Sequence, residues 1–362
     1  MPPAKLPVCL LLGISLCLPV LTARGALGDS AAAESSRIYR SPEERRDAGL
    51  GRELLPWLKV SGLLEAERER LDFEFENNVE QREDDGTVLT LQVGLDITMS
   101  ELMSAEITLE TERDTATTSK VDEAILIIEF DPVELELGRL SAPFGEYYSH
   151  FIIGPLLEIG ETVTDGAVLA WDINDYFELS VGALHSAVSA AGSGSLDWAM
   201  NLEFVNDTES IKLGLGYLSD LAESDEQLLS EFEGDYNHRV GAINAYALFG
   251  FSNMEITAEY VAATGAFSGF EAELDRPRAF NIEWAYFLSD AAQLALRYET
   301  SHELEDAPKS QAGINLTWRP NRYVLLSLEY LRARYARDFV FDDEDNMLLR
   351  GDSVAGQIAI EF

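Results

Sequence analysis

Residues 88–98 read Val-Leu-Thr-Leu-Gln-Val-Gly-Leu-Asp-Ile-Thr. Apolar residues at 89, 91, 93, 95 and 97 alternate with polar or small residues, which is the period of a β-strand with one apolar face. The same period returns in residues 198–204, 312–319 and 354–362. The chain is therefore predicted to consist of strands that turn one face toward an apolar medium and the other toward water.

The period of two extends over almost the whole chain after residue 56. Most of the segments that carry it are as long as a tilted strand must be to cross a bilayer. We predict sixteen strands, near residues 57–67, 88–98, 103–112, 121–130, 133–140, 163–171, 176–186, 197–205, 210–219, 239–250, 253–263, 278–288, 291–301, 310–319, 322–333 and 353–362.

The connections between these segments alternate in length. Short turns follow the even strands, and long polar loops follow the odd ones, as an even-stranded barrel with both ends on the periplasmic side requires. A soluble β-sandwich does not need this asymmetry. The predicted fold is all-β, a transmembrane antiparallel β-barrel of about 16 strands, of the outer-membrane porin type. The predicted long loops are residues 68–87, 113–120, 141–162, 187–196, 220–238, 264–277, 302–309 and 334–352.

Aromatic residues give an independent indication of a membrane barrel. They fall at both predicted strand ends, where amphipathic rings form girdles at the two lipid–water interfaces. The periplasmic set is Trp57, Phe130, Trp171, Phe204, Phe249, Tyr286, Trp318, Tyr323 and Phe362, and the opposite set is Tyr217, Tyr260, Phe280, Tyr298 and Tyr330. The terminal Phe362 on an alternating last strand resembles the assembly signal of outer-membrane proteins, so the barrel-assembly machinery is an expected partner.

The N-terminal residues predict export from the cytoplasm. Lys5 precedes an apolar run from Leu6 to Leu21, and small residues follow, so residues 1–25 are expected to be a signal peptide. Both cysteines of the chain lie inside it. Residues 26–56 are expected to form a short periplasmic segment and residues 57–362 the barrel, located in the outer membrane of a bacterial cell and in contact with its lipid and lipopolysaccharide.

The charge is strongly acidic, with a formal value of −39, which excludes nucleic acid as a partner. The chain contains no GxSxG, P-loop or HExxH pattern and no cysteine cluster. We therefore expect no catalytic residues, no cofactor and no metal site. The four histidines, His150, His185, His238 and His302, lack metal-ligand spacing and are expected at solvated loop or rim positions.

Charged residues fall in the phase of the strands that must face inward, because each charge facing lipid at the midplane would cost about 2–4 kcal/mol. Sixteen strands leave an aqueous channel, and its acidic wall predicts a preference for cations. The residues expected to line this lumen are Lys59, Glu65, Asp96, Glu106, Glu110, Lys212, Glu259, Glu283, Arg297, Glu299, Arg319 and Glu329.

The loop at 141–162 differs from the other loops because it is rich in large apolar residues. Such residues do not stay hydrated cheaply. The loop is therefore expected to fold into the barrel as a constriction, or alternatively to pack on a neighbouring subunit of a homo-oligomer. The residues expected at the constriction are Pro143, Phe144, Gly145, Glu146, Tyr147, Tyr148, Pro155, Glu158 and Glu161.

The same stretch resembles the LbtU family of siderophore porins. The resemblance rests on Gly138-Arg139-Leu140, Pro143-Phe144-Gly145, Gly154-Pro155-Leu156 and Ile159-Gly160-Glu161-Thr162. It implies passive uptake of an iron–siderophore complex through a sixteen-stranded barrel without a plug domain. The Pro-Phe-Gly element also resembles phosphate-selective porins.

Three functional hypotheses therefore stand at this point. The first is a porin for passive uptake of small solutes, with a ferric siderophore as the solute that the resemblance implies. The second is a general cation-preferring porin without a specific ligand. The third is a phosphate-type selective porin or a barrel that does not conduct.

Overall fold

The computed structural model describes residues 50–76, 80–84, 86–185, 196–223, 238–268, 275–304, 307–335 and 347–362. The predicted signal peptide, and residues 26–49 of the predicted periplasmic segment, lie outside the described residues. The strands are β1 (Arg52–Leu55), β2 (Leu58–Phe75), β3 (Glu80–Asp84), β4 (Val88–Ser100), β5 (Met103–Arg113), β6 (Thr117–Phe130), β7 (Val133–Ser141), β8 (Val163–Asn174), β9 (Phe177–His185), β10 (Leu196–Val205), β11 (Ile211–Leu218), β12 (Ala242–Phe251), β13 (Met254–Ala263), β14 (Arg278–Ser289), β15 (Ala292–His302), β16 (Ser310–Asn321), β17 (Val324–Arg334) and β18 (Leu348–Glu361).

Helical structure in the described chain is confined to two 3₁₀ turns, Leu156–Gly160 and Leu221–Glu223. Neither has the length and hydropathy that a membrane-spanning helix requires, and no other described segment supplies such a helix.

The sheet closes on itself. From β4 to β18 each strand pairs with the next in antiparallel register, β2 pairs with β4, and β18 pairs with β2. At the end of this last seam the Gly62 N–H donates to the Phe362 carbonyl at 2.7 Å, and the Phe362 N–H donates to the Gly62 carbonyl at 2.9 Å. β1 and β3 are short additions that pair with β2. The other sixteen strands form the barrel, so the predicted fold class and strand number are confirmed.

The two faces of the wall differ as the alternation predicts. Outward positions carry exposed apolar side chains, such as Leu215, Leu328 and Ile358, and most inward positions are buried or half-buried. The exposed aromatic side chains Trp57, Phe130, Trp171, Trp318, Tyr323 and Phe362 mark the end of the barrel where the short turns and Phe362 lie. A barrel with an apolar outer band and this girdle belongs in the bacterial outer membrane.

The prediction of the first long loop, 68–87, is wrong in its extent. β2 continues to Phe75 and β18 begins at Leu348, so the first and last strands rise together beyond their predicted ends. β3 pairs along this extension of β2. Likewise β6 begins at Thr117, inside the predicted loop 113–120. In the β2 extension the period of two continues with its phase reversed: Leu71, Phe73 and Phe75 lie on the inward face and charged residues on the outward face, so the segment does not match the lipid-facing pattern. Residues 117–120 are polar on both faces.

The closing seam yields a prediction about Gly62. A Cβ added there would lie 2.3 Å from the ring of Phe362, whereas a Cβ added at Gly356 would lie no closer than 4.0 Å to any neighbour. Gly62→Ala should therefore displace the Phe362 ring and destabilise the barrel by about 1–3 kcal/mol. The measurement is the temperature to which samples must be heated before electrophoresis for the band of the folded barrel to disappear. Gly356→Ala is the matched control, and an equal transition temperature for both variants would contradict the packing described.

Candidate functional site

The segment between β7 and β8, residues 142–162, lies inside the barrel. Its backbone N–H groups donate to carboxylates on the inward face of four strands, β13, β14, β15 and β17. It is called the inner loop below. These contacts run from Glu146 to Leu156, so the inner loop crosses the lumen and returns to β8 along the same wall.

The first anchor of the inner loop is Glu259 of β13. Its two carboxylate oxygens accept the backbone N–H groups of Glu146 and Tyr147, each at 2.9 Å. Successive N–H groups converge on one anion when neighbouring residues alternate between right- and left-handed backbone. Tyr147 has φ 49° and Gly145 has φ 88°, and a left-handed φ favours glycine. Asn244 donates to the same carboxylate at 2.6 Å.

The second anchor is Glu283 of β14, which is fully buried. It accepts the backbone N–H of His150 at 2.7 Å and the Ser149 hydroxyl at 2.9 Å. Arg297 of β15 donates to it at 2.9 Å. A buried ion pair is stable only when hydrogen bonds replace the lost water, and bonds to an ionised acceptor are stronger than neutral ones. The Glu283–Arg297 pair has such bonds from the inner loop.

Arg297 also ties down the next part of the inner loop. Its Nη1 donates to the Ile153 carbonyl at 2.8 Å, and its guanidinium lies 4.3 Å from the centre of the Phe151 ring. One buried guanidinium therefore neutralises a wall carboxylate, satisfies a loop carbonyl and stacks on a loop aromatic side chain.

His150 lies in a polar cluster within the barrel. Its Nε2 is 3.0 Å from a carboxylate oxygen of Glu255, and its Nδ1 is 2.6 Å from the amide nitrogen of Gln293. Its carbonyl accepts a hydrogen bond from Asn315 at 2.5 Å. The expectation of a solvated position is wrong for this histidine, because the inner loop carries it beneath the barrel surface, where it is only 1% exposed.

The last two anchors hold the returning half of the inner loop. Glu329 of β17 accepts the Ile152 N–H at 2.6 Å, and Glu299 of β15 accepts the Leu156 N–H at 2.8 Å. Leu157 follows the anchored residue Leu156 and is buried in the apolar cluster that the inner loop forms with the wall. Each buried side chain of this size contributes about 1.5–3 kcal/mol, so burial and anchoring act together.

The predicted constriction residues all lie in the inner loop. Glu146 is paired with Lys212 of β11 at 2.7 Å, and Lys212 also contacts Glu203 at 3.1 Å. Tyr147 is fully enclosed, and burial, followed by the nearby carboxylates of Glu259 and Glu161, raises its pKa well above the usual range. The remaining constriction residues lie beside these. Pro143 packs next to Gly182, Phe144 next to Gly216, Tyr148 edge-on to His150, Pro155 precedes the 3₁₀ turn, and Glu158 lies against Gly154.

The twelve residues predicted to line the lumen all occupy inward positions, but they do not share one environment. Five of them, Glu259, Glu283, Arg297, Glu299 and Glu329, lie beneath the inner loop and are at most 7% exposed. They do not face an open aqueous lumen, because loop N–H groups replace water as donors to the four carboxylates and a loop carbonyl accepts from Arg297.

The other predicted lumen residues divide into paired and half-exposed groups. Arg319 pairs with Glu361 near the end of the last strand, and Glu110 is contacted by Gln92 and Lys120. Glu65 is buried, Asp96 and Glu106 are half-buried, and Lys59 is exposed opposite Asp96 in the strand register.

A second wall of the lumen lies on β5, β6 and β7, away from the four strands whose carboxylates anchor the inner loop. Its inward carboxylates are half-buried and lie on three neighbouring strands: Glu106 on β5, Glu123 and Glu129 on β6, and Glu134 and Glu136 on β7. This set is called the acidic wall below.

Like charges stand directly opposite each other along the acidic wall and its continuation. Glu129 faces Glu134 across β6 and β7, and Glu178 of β9 faces both Asp172 of β8 and Glu203 of β10. Such pairs destabilise a sheet. The wall therefore keeps several carboxylates close together at this side of the lumen.

Sequence reasoning did not identify the amides and hydroxyls that complete the anchors. Asn244, Ser149, Gln293 and Asn315 each contact an anchor or the loop itself. A polar residue at an inward position was the available signal, but it does not separate a side chain that faces water from one that faces a loop. Among the described residues, no group of three or more histidine, cysteine, aspartate or glutamate side chains could hold a metal ion.

Comparisons with known proteins support the fold. Neither a protein-family model nor a curated protein sequence matches the chain. Among solved structures, the chain is similar to the outer-membrane channel DcaP of Acinetobacter baumannii, with 11% identity over 86% of this chain and 100% of that chain and a TM-score of 0.60. It is also similar to the anion-selective porin from Comamonas acidovorans, with 10% identity over 84% and 99% of the two chains and a TM-score of 0.62.

A third similar structure is Salmonella typhi OmpF in complex with daunomycin, with 12% identity over 84% of this chain and 97% of that chain and a TM-score of 0.55. At these identities the likeness shows the fold alone. The chain is thus a sixteen-stranded outer-membrane barrel of the porin type with a loop inside it. The more specific resemblance to the LbtU family gains no support from these comparisons.

The anchors yield a prediction for Glu283. Glu283→Ala removes the acceptor of the His150 N–H and leaves Arg297 buried beside a lost partner, which should destabilise the folded barrel by about 3–5 kcal/mol. The measurement is the thermal transition of folded protein in detergent. Glu134→Ala is the matched control, because it removes an inward carboxylate that faces the like charge of Glu129. If both variants melt at the same temperature, Glu283 does not hold the loop.

Proposed function

We propose that the protein is a porin for the passive diffusion of small solutes across the outer membrane, with a preference for cations. The observation that carries the proposal is the division of the lumen into two walls. One is covered by the inner loop, and its charges are satisfied within the protein. The other, the acidic wall, keeps half-buried carboxylates facing the interior.

Electrostatics gives the expected direction of selectivity. The Arg297, Lys212 and Arg319 side chains are each paired with carboxylates. Low-dielectric walls focus the field of the carboxylates on the acidic wall into the remaining space, which raises the local concentration of cations. Anion selectivity, the property in the name of one similar structure, is not carried over by a shared fold.

The selectivity can be measured as a reversal potential across planar bilayers under a KCl gradient. The wild type should prefer K⁺ at low salt and lose the preference near 1 M, where the screening length falls to about 3 Å. The double variant Glu129→Gln, Glu134→Gln should reduce the cation-to-anion permeability ratio by about twofold or more. Its control is Glu53→Gln, Glu101→Gln, which removes two exposed charges at the same short-turn end of the barrel but outside the acidic wall. Anion preference in the wild type would contradict the proposal.

The inner loop is proposed as the constriction of this channel. Deletion of residues 144–158 should raise single-channel conductance and weaken discrimination among solutes, because the deleted segment crosses the lumen. The variant that lacks these residues must first be shown to fold, by its migration on gels of unheated samples. A folded, inserted barrel with unchanged conductance would mean that the loop does not limit the passage and would contradict this proposal.

A ferric siderophore as the solute is the finer proposal. It is favoured by the sequence resemblance at residues 138–162, of which Gly138, Pro143, Gly154 and Glu161 are part. The acidic wall favours a complex without net negative charge, since like charges repel. Growth on a defined iron–siderophore complex, compared between cells with and without the gene, tests it. Equal growth would leave the general cation-preferring porin as the function.

A further inference from the structure

We infer that the outward face of the first and last strands, on the long-loop side of the membrane, binds the phosphate groups of lipopolysaccharide. The face is defined by six arginines on four adjacent strands, and is called the arginine face below. They are Arg68 and Arg70 on β2, Arg82 on β3, Arg332 and Arg334 on β17, and Arg350 on β18.

The register brings these side chains together. Val354 of β18 pairs with both Arg70 and Tyr330, and one step further out Asp352 pairs with both Asp72 and Arg332. The next pairs outward place Arg350 opposite Arg334. Neighbouring strands lie about 4.8 Å apart, so the guanidinium groups form one patch and are not scattered around the rim.

The patch lies at the height of lipid headgroups. Leu328 and Val354, on the same outward face and nearer the periplasmic end, are exposed apolar side chains of the lipid-facing band. Tyr330 comes next on β17, and its hydroxyl donates to Asp352 at 2.5 Å. A tyrosine of this kind marks the lipid–water interface, and Arg332 follows it directly on the outward side.

The charge of the patch is opposite to that of the rest of the chain. The protein has 65 acidic residues against 26 lysines and arginines. On this face six arginines meet Asp72, Glu74 and Asp352. Arginines outnumber carboxylates on this face, so the patch attracts an anionic group although the chain as a whole is acidic.

The existing ion pairs leave the guanidinium groups able to bind phosphate. Arg82 contacts Asp72 at 2.5 Å, Arg350 contacts Glu74 at 3.6 Å, and Arg332 contacts Asp352 at 3.8 Å. Exposed pairs of this kind contribute about 0–1 kcal/mol. Each guanidinium has five N–H donors in a planar fork that matches a phosphate group, so a phosphate can be added without breaking the pairs.

The extended ends of β2 and β18 place the arginines outside the barrel. β2 and β18 rise above their predicted ends as one continuous sheet with β3, and the arginines lie on its outward side, away from the lumen. A phosphate bound there contacts the outside of the barrel and leaves the solute path free. The inference therefore does not depend on the proposed channel function.

The test is a titration of the folded protein in detergent with lipid A that carries both phosphates, and with the same lipid after removal of its phosphates. The triple variant Arg68→Gln, Arg70→Gln, Arg332→Gln should bind the phosphorylated lipid about tenfold more weakly than the wild type. The wild type should bind the dephosphorylated lipid no better than the variant does. The matched control is Arg52→Gln, Arg276→Gln, Arg322→Gln, three exposed arginines outside the patch, which should bind like the wild type.

Two further measurements keep the inference open to contradiction. Conductance and ion selectivity of the triple variant should equal those of the wild type, since the side chains point away from the lumen. If the triple variant fails to fold, the single variants Arg70→Gln and Arg332→Gln should each show a smaller loss of affinity. Unchanged affinity in folded variants, or equal affinity of the wild type for both lipids, would overturn the inference.

Discussion

A backbone N–H or C=O group that faces hydrocarbon has no water to bind, and this constraint determines the rest of the structure. A sheet can satisfy it only by closing. Here closure is completed by the pairing of β18 with β2, ending in the reciprocal hydrogen bonds of Gly62 and Phe362. The alternation of apolar and polar residues, the apolar outer band and the polar interior are all consequences of a closed sheet with lipid outside.

The same constraint returns inside the barrel at the inner loop. An irregular segment at membrane depth is tolerated only where its backbone groups find partners in the protein. The wall provides them as carboxylates: Glu259, Glu283, Glu299 and Glu329 accept five loop N–H groups between them. Acidic residues on the strands therefore have two uses. On one wall they hold a loop, and on the other they are half-buried and face the interior, which makes their position around the barrel more informative than their number.

The sequence predicted the barrel well because its signal is repeated. Each strand carries the same period of two, and sixteen repetitions with alternating turn lengths leave few other folds. The inner loop was recognisable by composition alone, since exposing the large apolar side chains of Phe144, Phe151 and Leu157 to water is unfavourable. Its partners were not predictable. Glu283 and Glu134 look alike in sequence, as inward glutamates on spanning strands, and only the path of a loop distant in sequence decides which is buried. Arg70 and Arg332 were likewise not assigned a role, because strands at opposite ends of the chain become neighbours only when the barrel closes.

Amide hydrogen exchange of the folded protein, read residue by residue, tests most directly whether wall carboxylates hold the loop inside the barrel. The account predicts that the N–H groups of Glu146, Tyr147, His150, Ile152 and Leu156 exchange as slowly as those of the neighbouring strands, because each is bonded to a buried carboxylate. Exchange of these five at the rate of an open loop, with the strands protected, would contradict it.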